Sequence, residues 1–403
     1  MYFLAVMMTL LGAADSLLVS VAPARAQVEE PAVVVHRQPA VGIVALRLSV
    51  LANDPPGYAG AGHMIQHLLY SSLRDRVARV GGELQIQRTS DAIIYTATGP
   101  ASELTYLAEI LKSALSPKAP TTDALLSAER ELREERLSEW ETAQGHARSM
   151  LRAQLFPPDV SAAGTERSAT RFSSSALPRI WSALYSPDRV SVVAVGDVHL
   201  EDVRSAFANL PEAASEPELL PISRDSIVLG SLAPPQATRG WVGAAYLASG
   251  LEPAAVTVAT RLLGDYLRRR LPTVQVDSEH WWTHHGQAIA LVLAVPEPDL
   301  DLARRALGTA LSSLLDDLNL LDVTEAADAI RSEMLFYSRT PGRMAEVIGQ
   351  FVDREGDPNA TDQFYAALDS LDDDDVREVL EHAFELTPAR IEIPPQTLHP
   401  RVQ

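Results

Sequence analysis

The second half of this 403-residue chain repeats the first, and that repetition limits the fold more than any single motif does. Leu104, Leu111 and Leu115 recur as Leu300, Leu307 and Leu311, each 196 positions later (300 − 104). The apolar run Ile93-Ile94-Tyr95 has Ile289-Ala290-Leu291 at the same displacement. Further on, Ser186-Pro187-Asp188-Arg189-Val190 is echoed by Thr387-Pro388-Ala389-Arg390-Ile391, now 201 positions later (387 − 186), as a short insertion would produce. The pieces keep their order in both halves, which points to a duplication.

The first half alternates strand and helix signals. Ala32-Val33-Val34-Val35 and Val41 to Leu51 read as strands, with Leu46, Leu48 and Val50 alternating with Arg47 and Ser49. A helix is expected from about Gly60 to Val80, after the breaker Pro55-Pro56-Gly57 and before the C-cap glycines Gly81-Gly82. A polar strand and then Asp91 to Thr98 form a hairpin-like pair. Glu103 to Leu115 is an amphipathic helix, a second begins at the capping cluster Thr121-Thr122-Asp123, and a third covers Ala147 to Phe156 before Pro157-Pro158. Pro178 to Leu184 reads as a helix and Val190 to Val195 as a buried strand. Residues 211 to 225 have linker composition. Strands interleaved with helix pairs predict an α+β sandwich in each half.

Composition narrows the function. With 53 acidic against 34 basic residues the net charge is −19, which repels phosphate backbones and argues against nucleic acid; a basic or apolar polypeptide is the compatible partner. There is no cysteine, so a metal must be held by histidine and carboxylates. Residues 1–26 carry an apolar run and Ala24-Arg25-Ala26 before Gln27, the pattern of a signal peptide, which predicts an exported, periplasmic or extracellular protein. The absence of Lys or Arg ahead of the run, and Asp15 within it, leave a retained N-terminal membrane anchor as the competing reading.

The chemistry concentrates in His63-Met64-Ile65-Gln66-His67. Histidines four apart on a helix share a face and can reach one metal ion. Zinc needs at least one more protein ligand. The helix carrying Glu129, Glu131, Glu134 and Glu135 offers candidates, with Glu131 and Glu135 on one face, and spacing alone does not choose among them. The competing reading pairs these glutamates with Arg130, Arg133 and Arg136 and leaves the histidines as ordinary half-buried residues. A second group, His280, His284 and His285 with Glu279, reads as a strand-edge and loop cluster beside Trp281 and Trp282. The chain has no Gly-x-Ser-x-Gly elbow and no phosphate-cradling glycine loop.

These landmarks together resemble the pitrilysin/insulinase family of inverted-motif zinc metallopeptidases, in the two-domain form of the mitochondrial processing peptidases and their bacterial relatives. Gly62-His63 through His67 matches the inverted zinc motif. Gly81-Gly82 with Asp91 and Tyr95 matches a conserved stretch after it, and Tyr185-Ser186-Pro187 leads into Val192 to Val198 like the strand that closes each family repeat. The resemblance implies two duplicated α/β-sandwich domains, residues 27–213 and 214–403, each a mainly antiparallel sheet with helices packed on it, forming a clamshell. It implies one Zn2+ held by His63, His67 and a glutamate; counting back from Leu155-Phe156 favours Glu135 over Glu134.

The departures from the family pattern bear on activity. Gln66 stands at the position of the catalytic glutamate. Gln85, Ile86 and Arg88 replace an Asn, an Ala and a Thr around the substrate-edge strand, and Leu271 to Trp282 lacks the Arg and Tyr that hold the peptide carbonyl in active members. The expectation is a metal-binding, catalytically impaired homologue that acts as a non-catalytic subunit, paired as a hetero-oligomer with an active family member. The alternatives are an active zinc endopeptidase using another base, and a stand-alone polypeptide-binding chamber.

Overall fold

The computed structural model describes residues 32–38, 42–51, 54, 58–89, 91–156, 172–210 and 237–395. The expected leader at 1–26, the linker at 211–225, and the breakers at 55–57 and 157–158 lie outside the described residues. The first half runs β1 (Ala32–Arg37), β2 (Ile43–Leu51), α1 (Ala61–Ala78), β3 (Glu83–Arg88), β4 (Ala92–Pro100), α2 (Leu104–Lys112), α3 (Thr122–Glu141), α4 (Ala143–Leu155), α5 (Leu177–Leu184), β5 (Val190–Gly196) and α6 (Leu200–Ala206). The second runs β6 (Gly240–Leu247), α7 (Pro253–Arg270), β7 (Gln275–Thr283), β8 (Gly286–Val295), α8 (Leu300–Asp317), α9 (Leu320–Tyr337), α10 (Pro341–Glu355), α11 (Ala360–Ser370), α12 (Asp373–Glu385) and β9 (Ala389–Ile393).

The strand orders are β1-β5-β2-β4-β3 and β7-β8-β6-β9, the second repeating the β3-β4-β2-β5 order of the first. Only the β1–β5 pair is parallel among the described strands. The duplication extends to the helix caps. Thr121 caps α3 and Asn319 caps α9, and Thr142 caps α4 as Thr340 caps α10, both pairs 198 residues apart (319 − 121). The Thr142 cap also makes α4 start four residues earlier than its apolar pattern suggested: the hydroxyl accepts from Gly145 N at 3.0 Å and restarts the helix directly after α3.

Each sheet buries one face under its own helices. Leu46, Leu48 and Val50 of β2 pack with Met64, Ile65 and Leu69 of α1 and Leu107 and Leu111 of α2. Their counterparts in the second core include Val242 and Ala244 of β6, Leu263 and Leu267 of α7, and Leu307 and Leu311 of α8. The other face of each sheet is covered by a helix from the opposite half. Ala147 and Leu151 of α4 lie on Ala245, Ala288, Ala290 and Val292 of the second sheet. Reciprocally, Ala345, Ile348 and Val352 of α10 lie on Ala45, Val193 and Val195 of the first.

This exchange explains the polar positions of β2, which look like a wet face in the sequence. Arg47 is fully buried beneath α10. Its Nη2 meets Asp353 Oδ2 at 2.6 Å and its Nη1 donates to Ser49 Oγ at 3.2 Å. Ser191 Oγ donates to Asp353 Oδ1 at 2.9 Å, and the Ser49 hydroxyl joins the same oxygen. A Cβ at Gly349 would strike the Arg47 guanidinium. At the equivalent contact in the other half the sizes are inverted: Gly243 of β6 faces Leu151 of α4, and a Cβ there would come within 2.9 Å of Leu151 Cδ1.

Removing one partner of a buried, hydrogen-bonded ion pair leaves an uncompensated charge, which costs about 3–5 kcal/mol. Asp353→Ala is therefore expected to lower the unfolding free energy by that order in denaturant titration. Gly349→Ala should cost about 1–3 kcal/mol through overpacking.

Candidate metal centre

The motif helix is fixed at its start by a buried carboxylate. Asp54 accepts from Gly60 N at 2.7 Å and Gly62 N at 3.0 Å, and its Oδ2 is 3.0 Å from Arg88 Nη2 on β3. Gly60, at φ 87°, caps the helix in a left-handed conformation that glycine adopts without steric cost. Gly62 is equally constrained, because a Cβ there would lie 2.5 Å from Ile93 Cδ1 and 2.8 Å from Arg88 Nη1. Met64, Ile65, Leu69, Leu73 and Val77 anchor α1 in the core. His63, Gln66 and His67, at i, i+3 and i+4, then face α3, which is itself anchored by Leu125, Ala128 and Leu132.

Across this seam His63 Nε2 lies 2.9 Å from Glu135 Oε2, and His67 Nε2 lies 3.5 Å from the same oxygen. The two imidazoles stack with centroids 4.8 Å apart. One ligand atom from each of His63, His67 and Glu135 falls within 4.8 Å of the others, and no other such group occurs among the described residues. Glu134 is exposed and outside the group. Both histidine side chains are 10% exposed, against 55% for Glu135, so the centre sits at the floor of an open seam. His67 Nε2 and Gln66 Oε1 are buried without a hydrogen-bond partner. Two imidazole nitrogens and a carboxylate, with a buried imidazole nitrogen left unsatisfied, form a donor set that fits Zn2+.

Glu131, one turn before Glu135, takes a different place. Its Oε2 is 3.0 Å from His67 Nδ1, while Ser127 Oγ donates to Oε1 at 3.1 Å. A carboxylate on the far nitrogen fixes the ring's orientation and tautomer, leaving Nε2 to face Glu135. The sequence marked Glu131 as a candidate but gave no means of separating ligand from support. It did not single out Asp54, whose role depends on where β3 passes the start of α1.

The second histidine group does not converge on one point, although the neighbouring rings of His284 and His285 lie 3.8 Å apart. On β7, Glu279 faces α4, where it pairs with Arg148 and accepts from Trp281 Nε1 at 2.8 Å. His284 reaches across the halves to Asp91, Nδ1 to Oδ1 at 2.7 Å. His280 lies on the other face of β7, stacked on Trp282, with Thr257 Oγ1 at 2.9 Å from Nδ1 and Gln287 Oε1 at 2.9 Å from Nε2. Burial, reinforced by the charge of Arg354, pushes its pKa down to about 3.

No protein-family profile matches the sequence, and no curated protein matches it either. Solved structures do. A protease from Helicobacter pylori is 15% identical, covering 90% of this chain and 96% of that one, with a TM-score of 0.77. An inactive domain of an M16 peptidase from Pseudomonas fluorescens is 14% identical, covering 91% and 96%, with a TM-score of 0.72. A chain of Complex III2 from Candida albicans is 14% identical, covering 90% and 93%, also at 0.72. At such identities the likeness is one of fold: the chain has the pitrilysin-type fold of the M16 peptidases, two duplicated α/β sandwiches forming a clamshell.

Two measurements check this geometry. Glu131→Ala should weaken metal binding about 10–100-fold in calorimetric titration, the usual cost of losing such a supporting carboxylate. Because the folded pKa of His280 lies below its ordinary 6.5, the unfolded chain takes the proton first as pH falls. The resulting stability is full above about 6.5 and is lost as pH drops toward 3, with a slope of up to about 1.4 kcal/mol per pH unit. His280→Gln should flatten that slope in denaturant titrations between these limits.

Proposed function

We propose that this chain holds a zinc ion but does not hydrolyse peptides, and that it serves as a polypeptide-holding, non-catalytic partner of a catalytically complete relative. One observation carries the reading: Gln66 lies on the same helix face as His63 and His67, which converge with Glu135, where a peptidase of this fold needs a base. When bound, zinc supplies a Lewis acid for a carbonyl oxygen and acidifies coordinated water. His63, His67 and Glu135 would hold it, and Glu131 would keep His67 in its ligating orientation.

A carboxamide has no basic oxygen at neutral pH, so Gln66 can accept hydrogen bonds but cannot take a proton from water or deliver one to a leaving amine. General acid–base catalysis is worth about 10²–10⁴-fold, roughly 3–5 kcal/mol of barrier. Glu131 and Glu135 do not replace the base, since both are engaged by the histidines.

Polypeptide holding fits the sheet. β3 is the edge strand beside the centre and pairs only with β4 among the described strands, so its outer backbone groups can take an extended segment as an added strand. The net charge of −19 favours basic segments. A non-catalytic partner role is supported by the two similar chains described as an inactive domain and as part of a multi-subunit complex. The signal-like composition of residues 1–26 supports a location outside the cytoplasm.

The test combines metal analysis with a peptidase assay on unstructured peptides. The wild type should bind one zinc per chain and cleave nothing, and Gln66→Glu should gain chelator-sensitive cleavage that His63→Ala abolishes. Chelator-sensitive cleavage by the isolated wild-type chain would establish an active endopeptidase instead. A chain with neither metal nor cleavage would be a polypeptide-binding chamber only.

A further inference from the structure

The repeat places a counterpart of the metal centre in the second half, between α7, β7 and α9. Buried residues fix the register on both helices. Leu69, Leu73 and Val77 of the motif helix correspond to Leu263, Leu267 and Leu271, 194 residues later (263 − 69), and all six are buried. Leu125, Ala128 and Leu132 of α3 correspond to Val323, Ala326 and Ile330 of α9, 198 residues later (323 − 125), and these are buried likewise. The same displacements carry His63 to Thr257, His67 to Arg261 and Glu135 to Glu333.

The structure brings those three residues together. Arg261 Nη1 lies 2.9 Å from Glu333 Oε1 and 3.1 Å from Oε2, while Thr257, one turn earlier, is hydrogen-bonded to His280. With Thr260, Ser278, His280 and Arg268 they line an open cavity of about 480 Å³, where Arg268 donates to Asp265 Oδ1 at 2.7 Å. Asp265, at the position of Ser71 in the first half, accepts from Arg261 Nε at 3.1 Å and holds the guanidinium toward Glu333.

We infer that this cavity is a latent divalent-cation site whose cation has been replaced by the side chain of Arg261. The inference rests on reading His63, His67 and Glu135 as metal ligands. Two equivalent carboxylates, Glu135 and Glu333, reach back from the acidic helix toward the motif helix of their own half. In the first half the charge opposite Glu135 would come from the proposed zinc, held by the ring nitrogens of His63 and His67. In the second half the guanidinium, which stays protonated at any physiological pH, brings the charge covalently. Thr257 and Arg261 offer no nitrogen lone pair to a metal, so this pair does not take the place of the two histidines as ligands. The backbone positions that would bind one are still held by the same buried leucines.

Restoring imidazoles tests this. Thr257→His with Arg261→His, made in a His63→Ala/His67→Ala background, should bind one Co2+ or Zn2+ per chain where the parent binds none, and Glu333→Ala should abolish the gain. In the wild-type background the count should rise from one to two. A folded variant that gains no ion overturns the inference. A wild-type count of zero instead refutes the first-half reading, and the gain in the His63→Ala/His67→Ala background is scored independently of it. If the double replacement does not fold, Arg261→His alone is titrated with Co2+. Binding that is absent from the parent and lost with Glu333→Ala supports the inference, and no binding overturns it.

Discussion

The contact between the fully buried Arg47 and Asp353 is the interaction on which the arrangement of the two halves turns. An arginine in the middle of a sheet face is tolerable only if something carries a carboxylate to it and excludes water. Here that something is α10, a helix contributed by the other half of the chain. Its underside gives up a side chain at Gly349 so that the guanidinium can lie flat against the helix, and Ser49 and Ser191 complete the carboxylate's hydrogen bonds. Such a network adds little net stability over a well-packed apolar contact, but it accepts only one register of helix on sheet. The opposite contact, Leu151 of α4 over Gly243, achieves its register by shape alone. One duplicated interface has thus been solved once with charge and once with volume.

That mutual covering bears on the candidate metal centre. α3 leads into α4 through Thr142, and α4 is clamped on the second sheet. The helix that presents Glu131 and Glu135 is therefore held at one end by the other half of the molecule, while α1 is held by Asp54 and Arg88 within the first. The centre spans two separately anchored helices. Its floor is buried, and Glu135 lies toward the open side.

The two halves diverged in chemistry while keeping their scaffolds. The helix caps at Thr121 and Asn319 and at Thr142 and Thr340, and the buried positions of α1 and α7, stayed in step, since each is required for the sandwich to close. The side chains pointing into the seams were free to change. In one half they are two histidines, a glutamine and a glutamate. In the other they are two threonines, an arginine and a glutamate, the last two tied by an ion pair.

The sequence determined the duplicated α+β architecture, because hydrophobic periodicity and caps are local properties that survive in any context. Leu104 and Leu111 and their counterparts 196 residues later fell on equivalent helices, with Leu115 in the 3-10 turn that ends the first, and most strand and helix limits followed the alternations and caps that mark them. It also determined that His63 and His67 share a helix face, since a four-residue spacing fixes that directly, and that the position between them carries no titratable group. Only the tertiary structure decided what meets across long stretches of chain. It brought Glu135 rather than Glu134 to the histidines, set Glu131 behind His67, and carried Asp54 beneath the start of α1. It also turned Arg47, an apparent surface residue of an alternating strand, into the most buried charge in the interface. Those outcomes depend on helix azimuth and on which face of a sheet a distant helix covers. No spacing in the chain encodes them, because each follows from the packing of elements that are far apart in sequence.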